Sequence, residues 1–301
     1  MADTSYVWFQ LDVFAPRAGT GNPLGVVIAD PAWSDHDMQA LAAWTNLVET
    51  TFVLPATQPE ADYRVRIFTP SREIPFAGHP SLGTAHAVRA AGLVAPERDR
   101  LIQECAAGLL PISIERGADG VVLFVRSPPA TVVASRAEDS AAVCRVLHGL
   151  RLGALPPALV AGGRRWWLAE IASEAELRGL QADPPAIKAL ALASDSVGLC
   201  LFARAQDADY DLVVRAFPCA IGIDEDPASG AANGLIASYL HHAEPSGRLL
   251  ANGGYRVSQG REIGRDARLE LRIAPSGTVE VGGQVQTVVE GRLRWPLAPV
   301  T

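Results

Sequence analysis

Three side chains of this sequence have the types and settings for proton transfer: Glu49, His79 and Asp226. Glu49 stands in NLVETTFVL, where a helical pattern gives way to a β-branched strand. Left in water, such a carboxylate merely ends a strand. Enclosed by apolar neighbours such as Phe52, it gains the proton affinity that general base work needs near neutral pH. His79 lies in FAGHPSLGTAHAVRAAG, at the start of a helix of small residues. It serves either as a helix-start residue bonding a nearby carbonyl, or as a substrate contact beside an anion seat made by the free N–H groups of Gly78 and its neighbours. Asp226, before Pro227, has N-cap chemistry. Asp224, Glu225 and Asp226 nonetheless crowd one helix start, and such crowding is held for function as well as for capping.

Other chemistries lack their residues. Cys105, Cys144, Cys200 and Cys219 are scattered, without a C-x-x-C pair or a His at metal spacing, and are read as small buried apolar groups. Neither G-x-x-x-x-G-K-[ST] nor G-x-S-x-G occurs, and GTGNPLG is not a dinucleotide fingerprint, so neither a nucleotide cofactor nor a serine triad is indicated. A net charge of −7 without a Lys/Arg cluster argues against nucleic acid. The opening MADTSYVWFQLDVF lacks the features of a signal peptide, and no apolar run is long enough to span a bilayer, which points to a cytoplasmic protein.

The elements that must position these groups follow from patterning. At 301 residues, 49% apolar and 20% charged, the chain is expected to fold as two domains of similar size. VWFQLDVF, LGVVIA, TTFVL and YRVRIF read as strands, interrupted by a helix capped by Ser34 with Met38, Leu41, Ala42 and Thr45 inward. The segment Phe76 to Gly92 is a second helix, one with no clear polar face, and LIQECA, LLPISIE and VVLFV are further strands. After a linker, RSPPATVVASRAED, the order repeats in outline. There is a helix from about Glu138 to Leu150, then strands RRWWLAEI, VGLCLFA and DLVVRAF, with SEAE from Ser173 as a capping box between them. DEDPASGAANGLIASYLHH then leads into a second small-residue helix. Short strands close the chain, with Gly282 and Gly283 expected to break the last two apart.

Taken together, DVFAPRAGTGNPLGVV, NLVETTFVL, RIFTPSREIPFAGHPSLGTAHA, EDPASGAANG and SQGREIGR resemble the phenazine-biosynthesis PhzF-like family over almost the whole chain. The resemblance implies an α+β fold of the diaminopimelate epimerase kind: two similar domains, each a barrel-like, mostly antiparallel sheet wrapped around a central helix. The domains fall at 1–126, completed by a C-terminal strand within 284–301, and at 127–283. In such proteins the active site lies between the domains, at the starts of the central helices. The resemblance makes Glu49 the shuttle of a cofactor-free isomerisation of a small carboxylate, with His79 and Asp226 assisting. It assigns backbone N–H groups of Gly78, Gly230 and Ala231, together with Asn22, Ser229 and Gln259, to substrate binding.

Related racemases and epimerases carry a cysteine at each helix start, where this chain has Ala77 and Ser229, so two-base thiol chemistry is not expected. The phenazine enzyme's motif reads like DAATGS, whereas DPASGA here puts Ser229 at the Thr position and Ala231 at the final Ser position. Losing that hydroxyl indicates a different ligand or weak activity. Two alternatives stay open at this point: a lyase or dehydratase using the same base, and a small-molecule binding protein without turnover. No metal, nucleic acid or membrane partner is expected; a homodimer is.

Overall fold

A computed structural model of the chain describes residues 5–118, 120–133, 137–206 and 209–296. It is a mixed α/β structure whose contacts divide it into two compact units, Met1–Arg126 with Gly282–Thr301, and Ser127–Val281.

The first unit holds β1 (Ser5–Val13), β2 (Asn22–Ile28), α1 (Asp35–Thr45), β3 (Glu49–Leu54), β4 (Tyr63–Phe68), the short β5 (Glu73–Ile74), α2 (Gly78–Ala90), β6 (Arg100–Cys105), β7 (Gly108–Gly117) and β8 (Gly120–Arg126). A last strand, β16 (Val279–Arg294), begins in the second unit and continues into the first. Its pairing with β1, from Ser5↔Arg294 to Val13↔Val285, closes the order β1-β2-β3-β4-β6-β7-β8-β16 into an eight-stranded barrel. Closure leaves this sheet without a free edge. The β2–β3 and β4–β6 pairs are parallel, and each is bridged by a helix, α1 and α2 respectively.

Helix α2 packs against β1, β2, β3, β6 and β8, and buries nearly every residue from His79 to Val88. That explains its composition. A Cβ on Gly83 would lie 2.4 Å from Leu24 and 3.0 Å from Val13, so only a glycine lets the helix approach β1 and β2 this closely. Across its middle, Thr84 Oγ1 lies 2.9 Å from Thr51 Oγ1, which satisfies both buried hydroxyls. Helix α1 covers the other face of the sheet. Met38 and Leu41 pack with Tyr6, Val27, Trp33, Phe52, Leu54 and Phe68, each large side chain contributing about 1.5–3 kcal/mol by leaving water. Ser34 caps α1 in a complete capping box with Asp37.

The second unit holds β9 (Thr131–Val133), α3 (Ala137–Val146), β10 (Ala158–Gly162), β11 (Arg164–Glu170), α4 (Glu174–Gly179), α5 (Pro184–Ala193), β12 (Leu199–Arg204), β13 (Leu212–Phe217), α6 (Gly230–Ala243), α7 (Arg248–Ala251), β14 (Gly254–Gln259) and β15 (Ala267–Ile273). From β10 to β15 its ladders run antiparallel, parallel, antiparallel, parallel, antiparallel, the sequence of senses found from β1 through β4 and on to β6 and β7. The parallel pairs are again bridged by helices: α4 and α5 between β11 and β12, and α6 with α7 between β13 and β14. Helix α6 packs on β9, β10, β11 and β15, with Gly234 against Ser127 and Val281. Val143, Leu147, Leu177, Ile187 and Leu190 pack from the remaining helices against Trp167, Leu199 and Leu201 of the sheet.

Several expectations change. The linker carries a strand, β9, because Thr131, Val132 and Val133 are β-branched and pair with β10; residues 134–136 of that stretch lie outside the described residues. Ser173 caps α4, but Glu176 does not return the bond: its carboxylate takes the Arg151 N–H and Nε instead. Cys200 and Cys219 are buried, whereas Cys105 is half-buried where β6 meets a turn, and Cys144 is exposed because Val143 and Leu147 take the inner face of α3. The terminal strand ends at Arg294, and residues 297–301 lie outside the described residues.

Gly282 and Gly283 do not break the last strand; β16 runs through them. A Cβ on Gly282 would lie 2.3 Å from the Phe124 ring and 2.7 Å from the Leu123 carbonyl oxygen, so the residue is a close approach of β16 to β8. Gly282→Ala should therefore destabilise the protein by about 1–3 kcal/mol, read as a lower urea midpoint at unchanged m-value. An unchanged midpoint would contradict this packing.

Candidate active site

In the first unit, the parallel β2–β3 ladder sets Leu24 opposite Glu49, so Glu49 opens its strand beside the start of β2. The turn entering β2 is held by the Asp12 carboxylate, which accepts the Gly21 N–H at 3.0 Å. A Cβ on Gly21 would lie 2.2 Å from the Val13 carbonyl oxygen, which is what the GTGN turn needs a glycine for. Asn22 follows, almost completely buried, and pairs with Val13. The next residue, Pro23, receives a hydrogen bond on its carbonyl from the His79 ring.

His79 is the second residue of α2, and its Nε2 lies 3.3 Å from Glu49 Oε2. Both side chains are largely buried, at 8% and 12% exposure. Burial pushes the imidazole from 6.5 down to about 3, and the Pro23 bond offsets only part of that, so the contact is not an ion pair at neutral pH. With Nδ1–H directed to Pro23, Nε2 presents a lone pair to the carboxyl of Glu49. A proton taken up by Glu49 thus meets an acceptor within hydrogen-bonding range.

Around this pair the start of α2 is left open. Its N-cap is Ala77, which makes no side-chain cap bond. Alanine is a poor cap, and the helix loses about 1 kcal/mol by it. A Cβ on Gly78 would meet only Val125 Cγ1, at 4.0 Å, so packing does not explain the glycine. An uncapped first turn with room before it suits an anion.

In the second unit, α6 is capped by Ser229, whose Oγ accepts the Ala232 N–H at 3.3 Å. Asp226 is thus not the helix cap. Its Oδ1 instead accepts the Ala228 N–H in a local turn, and its N–H bonds the Ala216 carbonyl. The neighbouring acidic residues separate in role: Glu225 is gripped in two bonds of 2.9 and 2.8 Å by Arg215, which also donates to the Leu177 and Leu180 carbonyls, while the Asp224 carbonyl accepts from Cys219. Ser229 and Gly230 are buried, and Ala231 is exposed at the second helical position. Gln259 is fully buried, with Nε2 on the Asp226 carbonyl and Oε1 accepting from Ser229 and Asn233.

Ala77 and Ser229 are the N-caps of α2 and α6. Burial raises the Cys200 and Cys219 thiols, Cys219 to about 11, which keeps it protonated. Among the described residues no group of three or more His, Cys, Asp or Glu is arranged to hold a metal ion, and no helix is long and apolar enough to cross a membrane.

Comparison with known proteins places these features. The model of the PhzC-PhzF family, described as phenazine biosynthesis-like protein, matches residues 11–291. The chain belongs to this family. It is 33% identical over 288 residues to trans-2,3-dihydro-3-hydroxyanthranilate isomerase of Pseudomonas aeruginosa, covering 94% of this chain and 97% of that protein. It is also 30% identical over 297 residues to antisense-enhancing sequence 1 of Schizosaccharomyces pombe, covering 96% and 99%. The crystal structure of a PhzF-family phenazine biosynthesis protein from Bacillus anthracis shares the fold, with a TM-score of 0.82 at 23% identity over 96% of this chain and 99% of that one. The chain is thus an enzyme of a family whose relatives, aligned over nearly their whole length, are named isomerases.

Sequence reading brings out Glu49, His79 and Gly78 in this PhzC-PhzF protein, but not the Pro23 carbonyl, Arg215 or Asn233. The first is a backbone group and leaves no residue signature. Arg215 and Asn233 sit among ordinary strand and helix residues, and only their partners reveal them.

The unfolded chain binds the His79 proton at about 6.5, whereas the folded chain holds it off until about 3. The folded state therefore keeps this advantage fully above pH 6.5 and loses it as pH falls through that window. The His79 ring resonances of the folded protein should show no titration between about pH 5 and 8, and His79→Gln should flatten the fall in unfolding free energy below about pH 6.5. A His79 that titrates near 6.5 in the folded state overturns the assignment.

Proposed function

We propose that this protein is a cofactor-independent isomerase of a small carboxylate, in which Glu49 takes a proton from a carbon next to an activating group and returns it to another. The observation that carries the reading is the Glu49–His79 contact at the uncapped start of α2. The carboxyl is enclosed and a neutral imidazole faces it at 3.3 Å. It also stands beside backbone donors able to hold an anion. A carboxylate that only ended a strand would have no need of that setting.

The PhzC-PhzF membership and the 33% identity to an isomerase named for trans-2,3-dihydro-3-hydroxyanthranilate support a cyclic, unsaturated amino acid or a near analogue as substrate. In this reading the Gly78 N–H helps hold the substrate carboxylate, and the His79 lone pair stabilises Glu49 while it carries the proton. Both domains are proposed to be variants of one barrel-and-helix plan, and Asp226 and the first turn of α6 are proposed to assist in substrate binding. Ala231 supports a substrate with one polar group fewer than a serine there would recognise, since an unmatched hydrogen-bonding group is strongly discriminated against.

Trans-2,3-dihydro-3-hydroxyanthranilate and related cyclohexadiene carboxylates, incubated in deuterium oxide, should give products of conserved skeleton carrying one deuterium on carbon. Glu49→Gln should slow that uptake by about 10²–10⁴-fold while leaving the thermal midpoint near the wild-type value. Uptake at the wild-type rate in the variant would remove Glu49 from the reaction. A product lighter by water or ammonia would make the enzyme a lyase.

A further inference from the structure

The two buried helices begin with different residues but share a construction. In α2 the fourth residue, Ser81, donates its hydroxyl back to the Ala77 carbonyl at 2.9 Å, in addition to the ordinary helical bond from its own N–H. In α6 the fourth residue, Asn233, donates its amide to the Ser229 carbonyl at 2.8 Å, again beside the helical bond. Each fourth residue is in turn held by a buried glutamine on the strand that follows the helix. Gln103 of β6 donates to Ser81 Oγ at 3.0 Å, and Gln259 of β14 accepts from Asn233 at 2.9 Å. All four side chains are completely buried, and β6 and β14 occupy matching places, each the parallel partner of the strand before the helix.

The carbonyl pinned in each case belongs to the same planar peptide as the first helical N–H. Ala77 C=O and Gly78 N–H are one unit, and Ser229 C=O and Gly230 N–H are another. In a trans peptide the two groups point opposite ways, so a carbonyl gripped by two donors from within the helix leaves its N–H aimed out of the helix end. Glycine at the first position would otherwise let that plane rock.

We infer that Asn233 with Gln259, and Ser81 with Gln103, are positioning residues that fix the Gly230 and Gly78 N–H groups toward a bound carboxylate. The inference rests on the proposed reading of these helix starts as carboxylate seats. It gives Gln259 a task other than touching substrate, and it assigns a role to Asn233, Ser81 and Gln103. The sign of each side chain's bond, donor toward the cap carbonyl, is what the task requires: serine and asparagine both supply it, and alanine does not.

The test uses the full chain, with ¹⁵N relaxation at the Gly230 and Gly78 amides and a titration with benzoate as the carboxylate probe. In the wild type both amides should be rigid, with order parameters of about 0.85. Asn233→Ala should drop Gly230 below about 0.6 while Gly78 stays rigid. Asn233→Ser, which copies the other unit's back-bond, should restore Gly230. Benzoate should bind Asn233→Ala about tenfold more weakly than it binds wild type, with Asn233→Ser in between or equal to wild type. Should Asn233→Ala fail to fold, Ser81→Ala read at Gly78 tests the same construction in the first unit.

A Gly230 that stays rigid in Asn233→Ala, or an Asn233→Ser that is as mobile as the alanine variant, overturns the inference. If the relaxation behaves as expected but benzoate moves neither glycine resonance, the peptide is pinned as inferred and it is the carboxylate reading that fails.

Discussion

A helix enclosed by a barrel of strands has almost no room for side chains, and the rest of this structure follows from that constraint. Strands β1 and β2 approach α2 so closely that Gly83 cannot bear a Cβ without meeting Leu24. The helix is therefore rich in glycine, alanine and small hydroxyls along its enclosed face, and that face offers little chemistry. What it can offer is the end of its backbone. The uncapped first turn concentrates unsatisfied N–H groups and the positive end of the helix dipole at one point of the first unit. The acid–base groups come from places where side chains do fit: the opening residue of β3 for Glu49, and the first turn of α2 itself for His79.

The same enclosure sets the electrostatics. A histidine in water at neutral pH is partly charged and exchanges protons freely; packed against β2 it is held neutral, because burial disfavours the imidazolium far more than the Pro23 carbonyl favours it. A charged histidine beside Glu49 would lock the carboxylate in its ionised form, good for abstraction and poor for return. A neutral one exerts no such charge, which suits the shuttle proposed for Glu49, since it must both take and give a proton. In the second unit the acidic residues ahead of α6 are differentiated by their partners. The buried Arg215 neutralises Glu225, which removes the repulsion that several carboxylates in one loop would create.

Local signals made much of this legible from sequence. The alternation of YRVRIF, the Ser34 cap, and the small-residue composition of α2 and α6 each report a short-range cause, and each matches an element of the structure. Glu49 is singled out by the resemblance of NLVETTFVL to its family, since position alone favours a solvated carboxylate at a strand end. What stayed illegible depends on distant partners. Gly282 and Gly283 look like a break, and only the Phe124 ring on β8 shows that Gly282 lets β16 pass close to it. Helix α5 is not among the elements read from sequence, although its two opening prolines suit a first helical turn. Gln259 reads through the family resemblance as a substrate contact, and only the structure shows its whole amide bonded to Asp226, Ser229 and Asn233 inside the fold.

Dependence on backbone donors also bears on how such a site can change ligands. On the proposed reading, a carboxylate held by the backbone N–H groups of a helix start does not register which side chains surround it, so substitutions in that first turn leave the seat standing. Ala231, at an exposed second helical position, lies outside the Ser229 cap, the Asn233 back-bond and the Gln259 amide, so its side chain can change without disturbing them. On the proposed reading, proton movement belongs to Glu49 and His79, the grip on the carboxylate to buried amides and peptide planes, and the choice of ligand to exposed residues at the helix starts, which can vary without either being rebuilt.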